Sequence, residues 1–85
     1  MYLHVTGTVT AERERLAPHA EEEARVLRRL KADGVLLSSF RRTDTPGAFL
    51  IVEAESVHAA RELLGQLPYV AHDYLTFEFL EVDRL

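Results

Sequence analysis

The 85-residue chain contains no cysteine and no tryptophan. Without thiols there can be neither a disulfide framework nor thiolate ligation of zinc, so the usual props of a small secreted domain are excluded and a reducing cytoplasm is the expected setting. Long apolar runs are also missing. The longest, Ala48 to Val52, is far short of the ~20 residues a membrane helix needs, and Met1-Tyr-Leu-His lacks the basic segment and apolar stretch of an export signal. The expectation is a chain that does not engage a membrane. Internal repeats, low-complexity tracts and linkers are absent too, and 85 residues suffice for one core only.

Positive charge is scarce. Ten basic against fourteen acidic side chains give −4, unevenly divided. Residues 1–42 carry eight bases and six acids, whereas residues 43–85 carry two bases and eight acids. Only Arg28-Arg29 and Arg41-Arg42 are adjacent bases. Nucleic-acid partners are not expected, because phosphate binding needs clustered cations.

What is present is a globular composition, 47% apolar and 28% charged. Alternation in Tyr2-Leu3-His4-Val5-Thr6 predicts a first strand. Leu16, Ala20, Ala24, Leu27 and Leu30 recur at helical spacing, which predicts an amphipathic helix from about Pro18 to Ala32, stopped by Asp33-Gly34, with Glu21 and Arg25 able to pair on its wet side. Residues 35–42 and 48–54 read as antiparallel strands joined by Thr43-Asp44-Thr45-Pro46-Gly47. Ser56 is a candidate N-cap for a helix that places Ala60, Leu63, Leu64 and Leu67 on one face and ends at Pro68. Residues 74–82 supply the last strand.

The order strand, helix, strand, strand, helix, strand is that of the ferredoxin-like α+β plan, a four-stranded antiparallel sheet with two helices on one face. The strands are apolar in both phases: Phe49 and Ile51 oppose Leu50 and Val52, and Leu75, Phe77 and Phe79 oppose Tyr74 and Leu80. A sheet with one solvated face alternates more cleanly, so something must cover the second face. The expected cover is a second copy of the chain, giving a homodimer or larger assembly.

Several motifs are familiar. Met1-Tyr-Leu-His-Val5, Leu30-x-x-x-Gly34, Phe40-Arg41, Glu55-Ser56 and Glu62-Leu-Leu-x-x-Leu-Pro68 together resemble the muconolactone delta-isomerase family, part of the dimeric α/β-barrel superfamily. Ala17-Pro-His19, Glu55-Ser-Val-His-Ala-Ala60 and Pro68-Tyr-Val-Ala71 resemble the YCII-related proteins of the same superfamily. The resemblance implies two ferredoxin-like sheets paired around a cavity, with cofactor-free proton-shifting isomerase or lyase chemistry on a small organic acid, lactone or cyclic metabolite. The YCII likeness implies a histidine acting with an aspartate, here His19 with Asp44. In place of the isomerases' polar segment after Trp-Arg stands Arg42-Thr-Asp-Thr-Pro-Gly47, which leaves a non-catalytic binding or assembly module as the alternative function.

Candidate site residues follow. His4 shares a strand phase with Tyr2 and Thr6; if Leu3 and Val5 meet the helices, His4 faces the other side, where an imidazole of ordinary pKa near ~6.5 suits proton transfer. A lone histidine is as well explained by packing in a core or interface. Arg41 matches the isomerase arginine and shares a phase with Leu37 and Ser39; its guanidinium could hold a substrate carboxylate or simply be solvated. The expected cavity, on the helix-free face, is lined by His4 and Arg41 with Tyr2 and Ser39 as binding groups. Arg42 is expected to face solvent. Glu78 and, less so, Glu53 are strand carboxylates able to act as acid or base if they face a dry cavity. His58 and His72 form no ligand spacing, so no metal is expected. No phosphate loop, nucleophile elbow or dinucleotide fingerprint occurs, so no cofactor is expected.

Overall fold

A computed structural model describes all residues from Met1 to Leu85. Strand β1 (Tyr2–Val9) leads into a short helix α1 (Arg13–Leu16), a 3-10 turn (Ala17–His19) and the long helix α2 (Ala20–Ala32). Strands β2 (Leu36–Arg41) and β3 (Gly47–Glu53) form a hairpin, followed by α3 (Val57–Leu64), the one-turn helix α4 (Pro68–Ala71) and β4 (Leu75–Val82). The sheet order is β2-β3-β1-β4, antiparallel throughout. This is the ferredoxin-like α+β fold expected from the element order.

Alternation on β1 sorts the molecule into two sides. Leu3 and Val5 have no exposed surface and pack with Leu50 and Val52 of β3, Val26 and Leu30 of α2, and Ala60 and Leu64 of α3. Their neighbours Tyr2, His4 and Thr6 therefore point to the helix-free face. Phe77 and Phe79 of β4 join the core from the helix side, whereas Leu80 lies on the open face, 63% exposed. Both phases are apolar, as the pattern predicts.

The helix boundaries have local causes. Gly34, at φ +78°, closes α2. The Gly34 N–H donates to the Lys31 carbonyl at 3.1 Å and the Val35 N–H to the Leu30 carbonyl at 3.0 Å, which satisfies two carbonyls at the helix end. The Ser56 hydroxyl accepts from the Ala59 N–H at 3.0 Å and caps α3. Three local expectations are corrected. Arg25 pairs with Glu22 rather than Glu21. Ala20 is exposed, so the inner stripe of α2 begins later. The second predicted helix stops at Leu64, capped by Gly65 and short of Leu67, and Pro68 opens α4 rather than ending α3: its fixed φ and missing N–H suit the first position of a helix.

One irregularity governs the hairpin. The β2–β3 register shifts between Leu36 and Ser38, a bulge at Leu37. Leu36 faces the helices opposite Val52, yet so do Ser39 opposite Leu50 and Arg41 opposite Ala48. The extra residue exchanges the two phases of the strand.

Candidate functional site

The bulge separates the two residues expected to share a cavity. His4 sits on the open face, where its ring lies 5.7 Å from that of Phe49. Arg41 and Ser39 lie on the opposite side, toward α2 and α4. The expected His4 and Arg41 cavity on the helix-free face is therefore not formed. Tyr2 is with His4 on the open face, its hydroxyl accepting from the Arg84 guanidinium at 3.1 Å. Glu78 is also there, exposed and paired opposite Thr6, and Glu53 lies at its margin opposite Tyr2.

Arg42 does not face solvent as expected. Its side chain is 12% exposed, with the guanidinium 4.9 Å from the centre of the Phe49 ring and donating to the Thr8 hydroxyl at 2.9 Å. The same group donates to both oxygens of Asp44 through its other two nitrogens, Nε and Nη2, at 3.0 and 2.7 Å. Those bonds hold the Asp44 carboxyl below its ordinary range and raise Arg42 above its own. No hydrogen bond or ion pair joins Asp44 to His19. The His19 ring instead packs 4.3 Å from that of His72, with Tyr74 at 5.9 Å from His19. The structure thus does not form the expected His19 and Asp44 pair.

A different site lies between the sheet and the helices. A cavity of about 340 Å³ opens among Leu27, Leu50, Leu67, Leu75 and Phe77, apolar side chains of α2, β3, β4 and the α3–α4 turn. That is the lower end of the range for small-molecule sites. Four polar residues reach it: Glu23 from α2, Ser39 and Arg41 from β2, and Tyr69 from α4. Gly7 and Gly47, where β1 and β3 approach closely, form part of its floor.

Glu23 is the only buried charged residue, 8% exposed. One carboxylate oxygen accepts from the Tyr69 backbone N–H at 2.9 Å, satisfying an N–H of the first turn of α4 that has no helical partner. Its other oxygen makes no hydrogen bond, and no buried side-chain oxygen lacks a partner, so that oxygen keeps some accessible surface, and Glu23 is among the residues that line the cavity. Burial raises the Glu23 pKa, only partly opposed by the bond from Tyr69. The Tyr69 phenol is likewise raised, by burial and then by the nearby Glu23 charge. Arg41 makes no ion pair or hydrogen bond within the chain, leaving its donors for a ligand. An apolar chamber with one unusually basic carboxylate and one unused guanidinium can hold a small acid and move a proton on it.

Glu23 was not among the residues expected from sequence. A signal existed: it stands three, four and seven residues before Val26, Leu27 and Leu30, in line with the stripe that faces the core. No group of three or more histidine, aspartate and glutamate side chains converges as a metal ion would require. No helix is long and apolar enough to cross a membrane.

Comparison with known proteins relates the chain to a family and to a solved fold. The family model described as the YCII-related domain matches residues 1–82. A solved crystal structure of muconolactone isomerase superimposes with a TM-score of 0.78 over 100% of this chain and 91% of that one, at 22% sequence identity. At that identity the likeness is one of fold. No curated protein matches the chain.

Proposed function

The chain belongs to the YCII-related family, and from that premise we propose that its helix-side cavity performs a cofactor-free proton shift, as an isomerase or lyase, on a small and largely apolar organic acid or lactone. The observation that carries this reading is Glu23, a buried carboxylate that lines an apolar cavity, with one oxygen free of hydrogen bonds and a pKa raised by burial. A carboxylate pushed toward neutrality is a stronger base and, once protonated, still a competent acid. In the proposed step the open Glu23 oxygen removes a proton from a carbon next to a substrate carbonyl, and the electron pair moves into the conjugated system. The same proton then returns to another carbon. No oxidant or second substrate is needed, and Arg41 holds the substrate's carboxylate through paired N–H donors.

A second reading rests on the Glu23 to Tyr69 bond, which alone would justify a buried acid as a fixed support for α4 in a binding module without chemistry. The two readings part experimentally. A thermal-shift screen of small lactones and aromatic acids identifies ligands, since binding to the folded state raises the melting temperature. Candidate substrates are then tested for turnover with Glu23→Gln, which keeps a hydrogen-bond acceptor for Tyr69 but cannot take up a proton. Loss of about 10²–10⁴-fold in kcat with the fold retained supports the enzyme reading. Full turnover in Glu23→Gln refutes it, and ligand binding without turnover in the wild type favours the module.

The open sheet face belongs to the same proposal. Phe40 and Leu80 are 65% and 63% exposed there in the single chain, beside Ile51, Phe49 and His4. A patch of this kind is covered in a stable protein, and its mixed margin, with Arg42 and Arg84 against Glu53 and Glu78, suits a two-fold partner of the same sequence. In this arrangement His4 and Tyr2 act in assembly and not in proton transfer.

A further inference from the structure

The inner cavity does not end at Arg41. A second and wider concavity, an open groove of about 830 Å³, runs between the α1 segment and the β2–β3 turn. Arg41, Gly47 and Tyr69 line both spaces, so the two adjoin. The linings differ in kind. Leucine and phenylalanine wall the inner space, whereas Arg13, Arg41, Arg42, Thr43, Asp44 and Thr45 face the outer groove.

The groove reverses the sign of the molecule. The chain as a whole carries −4, yet three arginines meet a single aspartate here. That aspartate is already neutralised: Asp44 is bound by Arg42 through two hydrogen bonds. Arg13 and Arg41 remain, and neither makes an ion pair or hydrogen bond within the chain. Two guanidinium groups are thus left without a partner in a groove that adjoins an apolar chamber and that Thr43 and Thr45 also line. A single carboxylate uses one guanidinium. Two guanidinium groups fit a group with two negative charges and three peripheral oxygens.

We infer that the outer groove is a subsite for a doubly charged anionic head of phosphate-monoester chemistry, borne by a ligand whose apolar body occupies the inner cavity. The inference deepens the proposed function and rests on the inner cavity being the ligand site. Tyr69 stands at the junction, and because Glu23 holds the Tyr69 backbone, the acid-base residue also sets the wall past which the ligand passes. The ligand is then amphipathic and extended, its reacting carbon inside and its charge outside.

The test uses the full chain and two probes of equal apolar length, hexyl phosphate and heptanoate, with inorganic phosphate as a third, measured by calorimetry in wild type, Arg13→Ala and Arg41→Ala. Hexyl phosphate is expected to bind about tenfold more tightly than heptanoate, as charge-assisted bonds to a second guanidinium imply. Arg13→Ala should remove that advantage and leave heptanoate within about twofold, whereas Arg41→Ala should weaken both. In the wild type, added salt should weaken hexyl phosphate more steeply than heptanoate, which tests the same point without a variant. Equal affinity for the two probes, or an Arg13→Ala effect shared equally by both, overturns the phosphate subsite. If heptanoate still binds and still depends on Arg41, the inner site stands without it. Binding of inorganic phosphate as tight as that of hexyl phosphate separates the groove from the cavity and also overturns the inference. If no probe binds, both readings fall together.

Discussion

The Glu23 carboxylate accepts a hydrogen bond from the backbone N–H of Tyr69, 46 residues further along the chain. The bond ties the inner face of α2 to the first turn of α4. It satisfies a helix-start donor that neither Pro68 nor Leu67 can serve with a side chain. The fold and the proposed chemistry meet in this one contact.

Glu23→Ala and Glu23→Gln should therefore diverge. Alanine leaves the Tyr69 N–H without its acceptor and opens a gap beside Leu27, a loss of about 1–3 kcal/mol. Glutamine retains an acceptor oxygen without the buried charge, and its stability at neutral pH should equal or exceed that of the wild type. Urea unfolding of the three proteins under one condition decides this.

The same carboxyl makes stability depend on pH with a defined sign. Burial raises its folded-state pKa above the ordinary value of 4.5, so between the unfolded and folded values the native chain binds more protons than the unfolded one. Its contribution is complete below the unfolded pKa and is lost as pH rises through the folded pKa. Wild-type stability should thus fall relative to Glu23→Gln over a window that begins near 4.5 and extends upward. Parallel pH curves for the two proteins would contradict it.

Gly47→Ala should damage the hairpin severely. Residue 47 has φ +154°, and a Cβ there would lie 2.1 Å from the Gly7 carbonyl oxygen, a backbone atom that cannot move aside. Strain and overpacking together predict a loss of roughly 2–5 kcal/mol, read as a fall in melting temperature. Gly34→Ala meets no neighbour but keeps the unfavourable φ of +78°, and should cost only about 1 kcal/mol. A smaller effect at Gly47 than at Gly34 would refute the assigned cause.

Leu80→Lys should divide assembly from folding. The residue is exposed in the single chain and its side chain makes no part of the core. If two copies meet through the open face, the variant shifts the mass measured by light scattering from dimer toward the 9.7 kDa monomer, with the far-UV spectrum unchanged. A wild type already at monomer mass at micromolar concentration refutes the homodimer.

Much of the fold was legible because burial writes a period into the chain. Leu3 and Val5 alternate with Tyr2 and His4, and this assigned the two faces of β1 correctly. Ser56 and Gly34 marked helix ends through chemistry that only a few side chains provide. The expected site failed at Leu37. A bulge depends on how two strands meet, leaves no periodic trace in either, and reverses every later assignment on its strand, so Arg41 and Ser39 changed sides. Glu23 was hidden by a different cause. A glutamate on a helix is ordinarily solvated, and only the arrival of Tyr69 from distant sequence makes its burial tolerable.

The sheet order carries a consequence for biosynthesis. β1 is the first strand made, yet both its neighbours, β3 and β4, come later, and Tyr2 finds its partner on β4 only at Val82. A nascent chain emerging from the ribosome would hold an apolar strand with two open edges until β3 is complete, and with one open edge until β4 follows. Closing so large a loop is slow on the scale of local helix formation. The time of greatest exposure to aggregation or to a chaperone therefore falls before the last eight-residue strand is free to add to the sheet.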